Sequence, residues 1–158
     1  MKKTFLLILF SIFLASCKTG STSVNKESKH ENIVNDLIKT ATDNVGVHYK
    51  AAGSTKAGFD CSGLVFYTFE KENIKLPRSS YEQSKIGRII KFDDARKGDL
   101  IFFKTNKSRQ INHVGLITQV SSEEIKFVHS STSKGVIIST TKEPYYKSSF
   151  VQVNRIVE

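Results

Sequence analysis

An α+β domain, with its helices ahead of an antiparallel sheet, is what this 158-residue sequence predicts. Three observations carry the prediction. Apolar residues recur at helical spacing up to about Glu72; from the turn Arg96-Lys97-Gly98-Asp99 onward the pattern changes to short β-rich runs. The turns between those runs are short, which suits antiparallel neighbours and leaves no room for crossover helices. The sequence shows no internal repeat and no sign of a second domain, so the length accounts for one domain and a targeting segment.

The targeting segment comes first. Lys2 and Lys3 precede an apolar stretch from Phe5 to Phe13, too short for the ~20 apolar residues of a spanning helix and of the right length for a signal peptide. It is followed by Leu14-Ala15-Ser16-Cys17, which resembles a bacterial lipobox. That resemblance implies cleavage before Cys17 and lipidation, palmitate included, on the new N-terminal cysteine. The alternative is a plain secretory signal cut near Ala15. The chain then divides into a signal peptide (1–16), a lipidated N-terminus with a flexible tether rich in Gly, Ser and Thr (17–28), and one domain (29–158). The expected location is the cell envelope, membrane-anchored after export: the outer membrane and periplasm in a Gram-negative cell. Without Lys2 and Lys3 the chain loses two of its 24 basic residues against 15 acidic ones and stays basic at +7, a charge suited to lipid head groups or wall polymers, or simply to solubility. The export signal argues against a nucleic-acid partner.

The first helix is signalled by the capping box Ser28-Lys29-His30-Glu31 and by a stripe of Ile33, Val34, Leu37, Ile38, Ala41 and Val45, ending near Gly46. Residues 47–58 read as a loop of small residues leading to the second helix, in which Tyr49 and His48 either line a site or simply pack; His30, at the polar start of the first helix, receives no role. In Phe59-Asp60-Cys61-Ser62-Gly63-Leu64-Val65, Asp60 is an N-cap whose oxygen can accept from Ser62 or Gly63, and a second helix runs to about Glu72. Cys61 thus sits in a first helical turn, where unpaired N–H groups favour a thiolate and are expected to hold its pKa below roughly 8.5. Leu76-Pro77-Arg78-Ser79-Ser80 breaks and recaps the chain before a short turn of helix at Tyr81–Lys85. About five strands follow: Leu100–Phe103, His113–Val120, Glu124–Ser130, Val136–Thr140 and Phe150–Val157.

With Cys17 lipidated, Cys61 is the remaining thiol, and an unpaired thiol in an exported protein is a candidate nucleophile or else a small buried hydrophobe. A Cys17–Cys61 disulfide is disfavoured, since a chain of this size builds a core without staples. His113 opens one strand and His129 closes the next. A three-residue loop at Ser121-Ser122-Glu123 pairs Gly115 with His129 and puts both imidazoles on one face, roughly 7–8 Å apart at Cα; a change of loop length reverses the parity unless a bulge restores it. Zinc held by Cys61 and the two histidines is disfavoured because no close Cys or His pair is present, and no metal or cofactor is expected. A nucleophile on a helix, a histidine on a strand and a third orienting group together match the cysteine-hydrolase arrangement.

Five ordered stretches, Gly58 to Val65, Leu76 to Ser80, Lys97 to Phe103, His113-Val114-Gly115 and Val128-His129-Ser130, resemble the successive motifs of the NlpC family of bacterial cell-wall cysteine peptidases over about residues 46–156. The resemblance implies a papain-like fold and a thiol protease acting on peptide stems of peptidoglycan, commonly after γ-D-glutamate and before a diamino acid. It implies Cys61 as nucleophile, His113 as base and His129 as the orienting third residue. It also implies a substrate site lined by Tyr49, Asp60 and Ser62, the last two near the free amine of the stem's first residue. One departure is Lys50-Ala51-Ala52-Gly53, where the family often has an aromatic and two glycines. Acting as a monomer, the domain is expected to meet its substrate through the wall and the membrane through its lipid. The competing functions are an acyl transferase or amidase using the same triad, and a catalytically silent wall-binding lipoprotein.

Overall fold

The computed structural model describes residues 21–158, with side chains from Lys26 onward; the leader, Cys17 and the first residues of the tether lie outside the described residues. Helix α1 spans Ser21–Thr42, starting seven residues ahead of the capping box at Ser28, so Ser21 to Ser28 are helical where a flexible tether was expected. The core-facing stripe nucleates the helix, and Lys26, Glu27 and Lys29, all good helix formers, let it propagate outward at little cost. Val34, Leu37 and Ala41 bury that stripe, whereas Val45 lies past the helix end and is exposed.

Two short pieces follow that no periodicity announced, β1 (Ser54–Thr55) and β2 (Gly58–Phe59), paired antiparallel. Helix α2 (Cys61–Lys71) comes next and then the one-turn helix α3 (Ser80–Gln83). The main sheet holds β3 (Arg88–Ile90), β4 (Leu100–Phe103), β5 (His113–Val120), β6 (Ile125–Ser131), β7 (Gly135–Thr140) and β8 (Phe150–Arg155). Its order is β3-β8-β4-β5-β6-β7, every pairing antiparallel, which makes six strands where about five were expected. A short helix α4 (Pro144–Ser149), also unexpected, lies between β7 and β8.

The continuous apolar run of β4 is explained by two buried faces. Leu100 and Phe102 join Val114, Leu116 and Val128 beneath α1 and α2; Ile101 and Phe103 join Ile117, Phe127, Val153 and Tyr146 on the opposite face, where Tyr146 of α4 lies. Asp99, entering β4, is buried against Arg155 of β8 with two hydrogen bonds of 2.9 and 2.8 Å and also accepts from the Arg96 backbone at 2.8 Å. The Lys97-Gly98-Asp99 turn is therefore locked to the end of the neighbouring strand β8.

Candidate active site

The site begins at the start of α2. Asp60 is in extended conformation and its carboxylate accepts from the Gly63 N–H at 2.7 Å, one of the two partners its sequence position predicted. Gly63 is required for packing: a Cβ there would run into the Gly53 carbonyl and come within 2.9 Å of Arg78 Nη2. The loop before the helix is held to this turn by Asp60 N–H donating to Gly53 O at 3.0 Å and Lys50 N–H donating to Phe59 O at 3.1 Å. Across the core, Ser130 Oγ donates to the same Phe59 carbonyl at 2.7 Å, so the residue after His129 is tied to a residue two before Cys61.

Cys61 Sγ faces the carbonyl of Asn112 at 3.8 Å, the residue just before β5 and next to His113. Asn112 is fixed in turn by its side chain, which accepts from Thr105 N–H at 2.8 Å. His113 Nε2 and His129 Nδ1 lie 2.9 Å apart, with the rings nearly perpendicular. The hairpin reaches this arrangement by a route other than the three-residue loop. Val120 pairs with Ile125 around a four-residue connection, and a bulge between Ile117 and Gln119 restores the parity, so that Leu116 faces Val128. Gly115 then lies against His129, and a Cβ there would come within 2.6 Å of the Phe127 ring. His129 is fully buried, and its Nε2 meets the hydroxyl of Tyr146 at 3.2 Å.

Burial pushes the Cys61 thiol up to about 11, with Asp60 adding to it and the backbone N–H groups of Val114, Ser62 and Cys61 only partly opposing. This overturns the expectation of a pKa below the free value: the helix terminus contributes, but desolvation and the neighbouring carboxylate outweigh it. Burial likewise pushes His113 down to about 4 and His129 to about 3. Burial thus disfavours the thiolate and the imidazolium when each is charged alone.

Beside the thiol, Arg78 grips Asp60 with both prongs, Nη1 to Oδ1 at 2.9 Å and Nη2 to Oδ2 at 2.7 Å. It also donates to Ser62 Oγ at 2.9 Å and to Gly53 O at 3.0 Å. Ser62 Oγ in turn donates to Asp60 Oδ1 at 3.1 Å. Nothing local in the Leu76–Ser80 stretch marks Arg78 for this role, because its partner Asp60 lies eighteen residues away. Tyr49 pairs with Phe59 through an isolated bridge, and its hydroxyl is raised in pKa by desolvation first and then by Asp60 and Cys61, which places it with them. His113 also borders a cavity of about 290 Å³ that Lys134, Glu143, Tyr145 and Tyr146 help to line. A further cavity of about 450 Å³, beside Arg88, Lys91 and Arg155, contains none of these groups. Among the described residues no three His, Cys, Asp or Glu side chains gather closely enough to hold a metal ion.

A thiol at a helix N-terminus, an imidazole at the start of an adjacent strand and a second imidazole hydrogen-bonded behind it, all on an α+β scaffold, define a papain-like cysteine peptidase. The NlpC/P60 family profile matches residues 46–155, and the chain belongs to that family. It is 32% identical over 174 residues to the Escherichia coli K12 protein named murein DD-endopeptidase MepS/murein LD-carboxypeptidase, covering 95% of this chain and 89% of that one. It is also 32% identical over 130 residues to the Bacillus subtilis 168 γ-D-glutamyl-L-lysine dipeptidyl-peptidase, covering 81% of this chain and 43% of the other. Among solved structures, an NlpC/P60 family protein from Bacillus cereus ATCC 10987 superposes with a TM-score of 0.72 at 29% identity, over 79% of this chain and 40% of that one.

Proposed function

We propose that this chain is a lipid-anchored cysteine endopeptidase of the cell envelope that hydrolyses the peptide stems of peptidoglycan, with the γ-D-glutamyl–diamino acid bond as its target. The observation that carries the reaction is the 2.9 Å contact of His113 Nε2 with His129 Nδ1, which leaves His113 Nδ1 as the nitrogen for the thiol beside it. Cys61 Sγ attacks the scissile carbonyl as its proton moves to His113 Nδ1. The Cys61 backbone N–H, unpaired at the helix start, donates to the developing oxyanion. His113 then gives the proton to the leaving nitrogen, the C–N bond breaks, and the acyl group remains on sulfur as a thioester. Water, deprotonated by His113, attacks the thioester and frees a carboxylate and the thiol.

Tyr49, Asp60 and Ser62 line the acyl side, and on this reading a stem's free amine shares Asp60 with Arg78. Anchoring rests on Cys17, and the name of the Bacillus subtilis relative supports the scissile bond. A second reading is cleavage of cross-links. It is favoured by the Arg78–Asp60 pair, which already neutralises the acid an amine would need, and by similarity to the Escherichia coli DD-endopeptidase along nearly the whole chain.

Mass spectrometry of purified peptidoglycan digested with residues 17–158 separates the readings. New amines on the diamino acid, with disaccharide-dipeptides left behind, support the proposed bond. Conversion of dimeric to monomeric muropeptides with intact stems transfers the assignment to cross-links, and an unaltered digest removes both. For the anchor, Cys17→Ser is expected to move the protein out of the membrane fraction; a wild-type chain found unlipidated and soluble in its own cells would contradict it.

A further inference from the structure

We infer that Tyr146, on the short helix α4, sets which nitrogen of His113 carries the proton, acting as a positioning residue two hydrogen bonds from the base. The inference rests on the catalytic assignment above and on the direction in which each hydrogen bond of the chain must run. For His113 to take a proton from Cys61 through Nδ1, its own hydrogen must be on Nε2, and Nε2 lies 2.9 Å from His129 Nδ1. His129 Nδ1 must then be the acceptor, which places the His129 hydrogen on Nε2. The same holds once His113 is protonated, since its Nε2–H still points at His129 Nδ1.

His129 is fully buried, so its Nε2–H needs a protein acceptor. The Tyr146 oxygen, 3.2 Å away, supplies it. The phenol ring is itself buried among Phe103, Phe127 and His129, with ring centroids 5.2, 5.0 and 5.3 Å from its own, and Tyr146 also lines the cavity shared with Ser139 and Glu143, toward which its own hydrogen turns when the oxygen accepts from His129. The chain of donors therefore runs from His113 through His129 to the Tyr146 oxygen. Reversed, it would put a hydrogen on His129 Nδ1, force His113 to accept at Nε2, and leave its Nδ1 already protonated and unable to act as base.

Tyr146→Phe tests this because it keeps the packed ring and removes only the acceptor. The His129 Nε2–H is then a buried donor without a partner, and the reversed tautomer becomes the better one. We expect kcat on a stem peptide to fall about 10- to 100-fold with KM nearly unchanged, because the substrate-binding groups Tyr49, Asp60 and Ser62 are untouched. Tyr146→His, which restores a polar group beside His129, should recover part of the loss. The readout that a merely structural role would not move is the tautomer itself. Two-bond proton–nitrogen correlation spectra of histidine-labelled protein at pH 7.5 should show the hydrogen on Nε2 of both His113 and His129 in the wild type, and on Nδ1 of His129 in Tyr146→Phe. The wild-type spectrum needs neither substrate nor variant, so it decides the point even if the substitution fails to fold or the substrate assignment is wrong. A wild-type His129 protonated on Nδ1, or a folded Tyr146→Phe with wild-type kcat, would overturn the inference.

Discussion

Replacing His113 by leucine tests whether Cys61 owes its reactivity to the imidazole or to the helix terminus. The substitution keeps the surroundings apolar and removes the one group able to take the thiol proton. With burial and Asp60 holding the thiol at about 11, the thiolate fraction at pH 7.5 falls to about 0.03%, against roughly 10% for a free thiol of pKa ~8.5. Since iodoacetamide reacts with the thiolate, alkylation of His113→Leu should be up to about 300-fold slower than that of glutathione, and the wild type should be faster than the variant because its proton has somewhere to go. Cys61 keeps part of its surface open, so about 300-fold is the upper end of the range. The assay is the time course of mass gain on the intact protein at pH 7.5, with Cys61→Ala as the blank. If His113→Leu labels as fast as glutathione, the helix terminus suffices and the argument from burial fails.

Further outcomes follow from the same structure. Asp99→Ala strands the buried Arg155 guanidinium and removes the acceptor of the Arg96 turn, and should cost about 3–5 kcal/mol in urea unfolding; a loss below about 1 kcal/mol would show the pair to be dispensable. His129 is depressed to about 3 and His113 to about 4 in the fold against about 6.5 unfolded, so the unfolded chain binds more protons as pH falls below about 6.5. Stability present at neutral pH should therefore be lost progressively from pH 6.5 down to about 3, by about 3–5 kcal/mol, most of it from the fully buried His129; a flat denaturation midpoint between pH 7 and 4 would refute this. Gly63→Ala drives a methyl group into the Gly53 carbonyl and should cost about 1–3 kcal/mol and displace the start of α2, read as a lower Tm together with lost activity. An unchanged Tm would mean that the loop gives way freely.

Much of the site was legible because its parts are local. Asp60 as an N-cap depends on a contact three residues away, and the β5 and β4 runs are marked by their own composition. The histidine pair was reached by parity, and the parity held although the loop did not: the four-residue turn and the bulge at Thr118 offset each other. A bulge leaves no composition signal of its own, so the two could be found only together. Long-range polar pairings were not legible. Arg78 with Asp60, Ser130 with Phe59 and Tyr146 with His129 join residues that only the fold brings into contact. Helix α4 offered one cue, Pro144 after Glu143 at a helix start, but six residues with two exposed faces carry no periodicity. The start of α1 was missed because Ser and Thr in its first turns suggest a tether, whereas cooperativity with the buried stripe extends the helix through them.

The proposed mechanism requires Cys61 and His113 together to break an amide bond in a peptidoglycan stem. Its most direct test is the release of free amine from a purified stem peptide by wild type, Cys61→Ala and His113→Ala at matched folded concentration. Release by the wild type, with none above background from either variant, is the expected result. Undiminished release by Cys61→Ala would contradict the nucleophile, and no release by the wild type would contradict the enzyme.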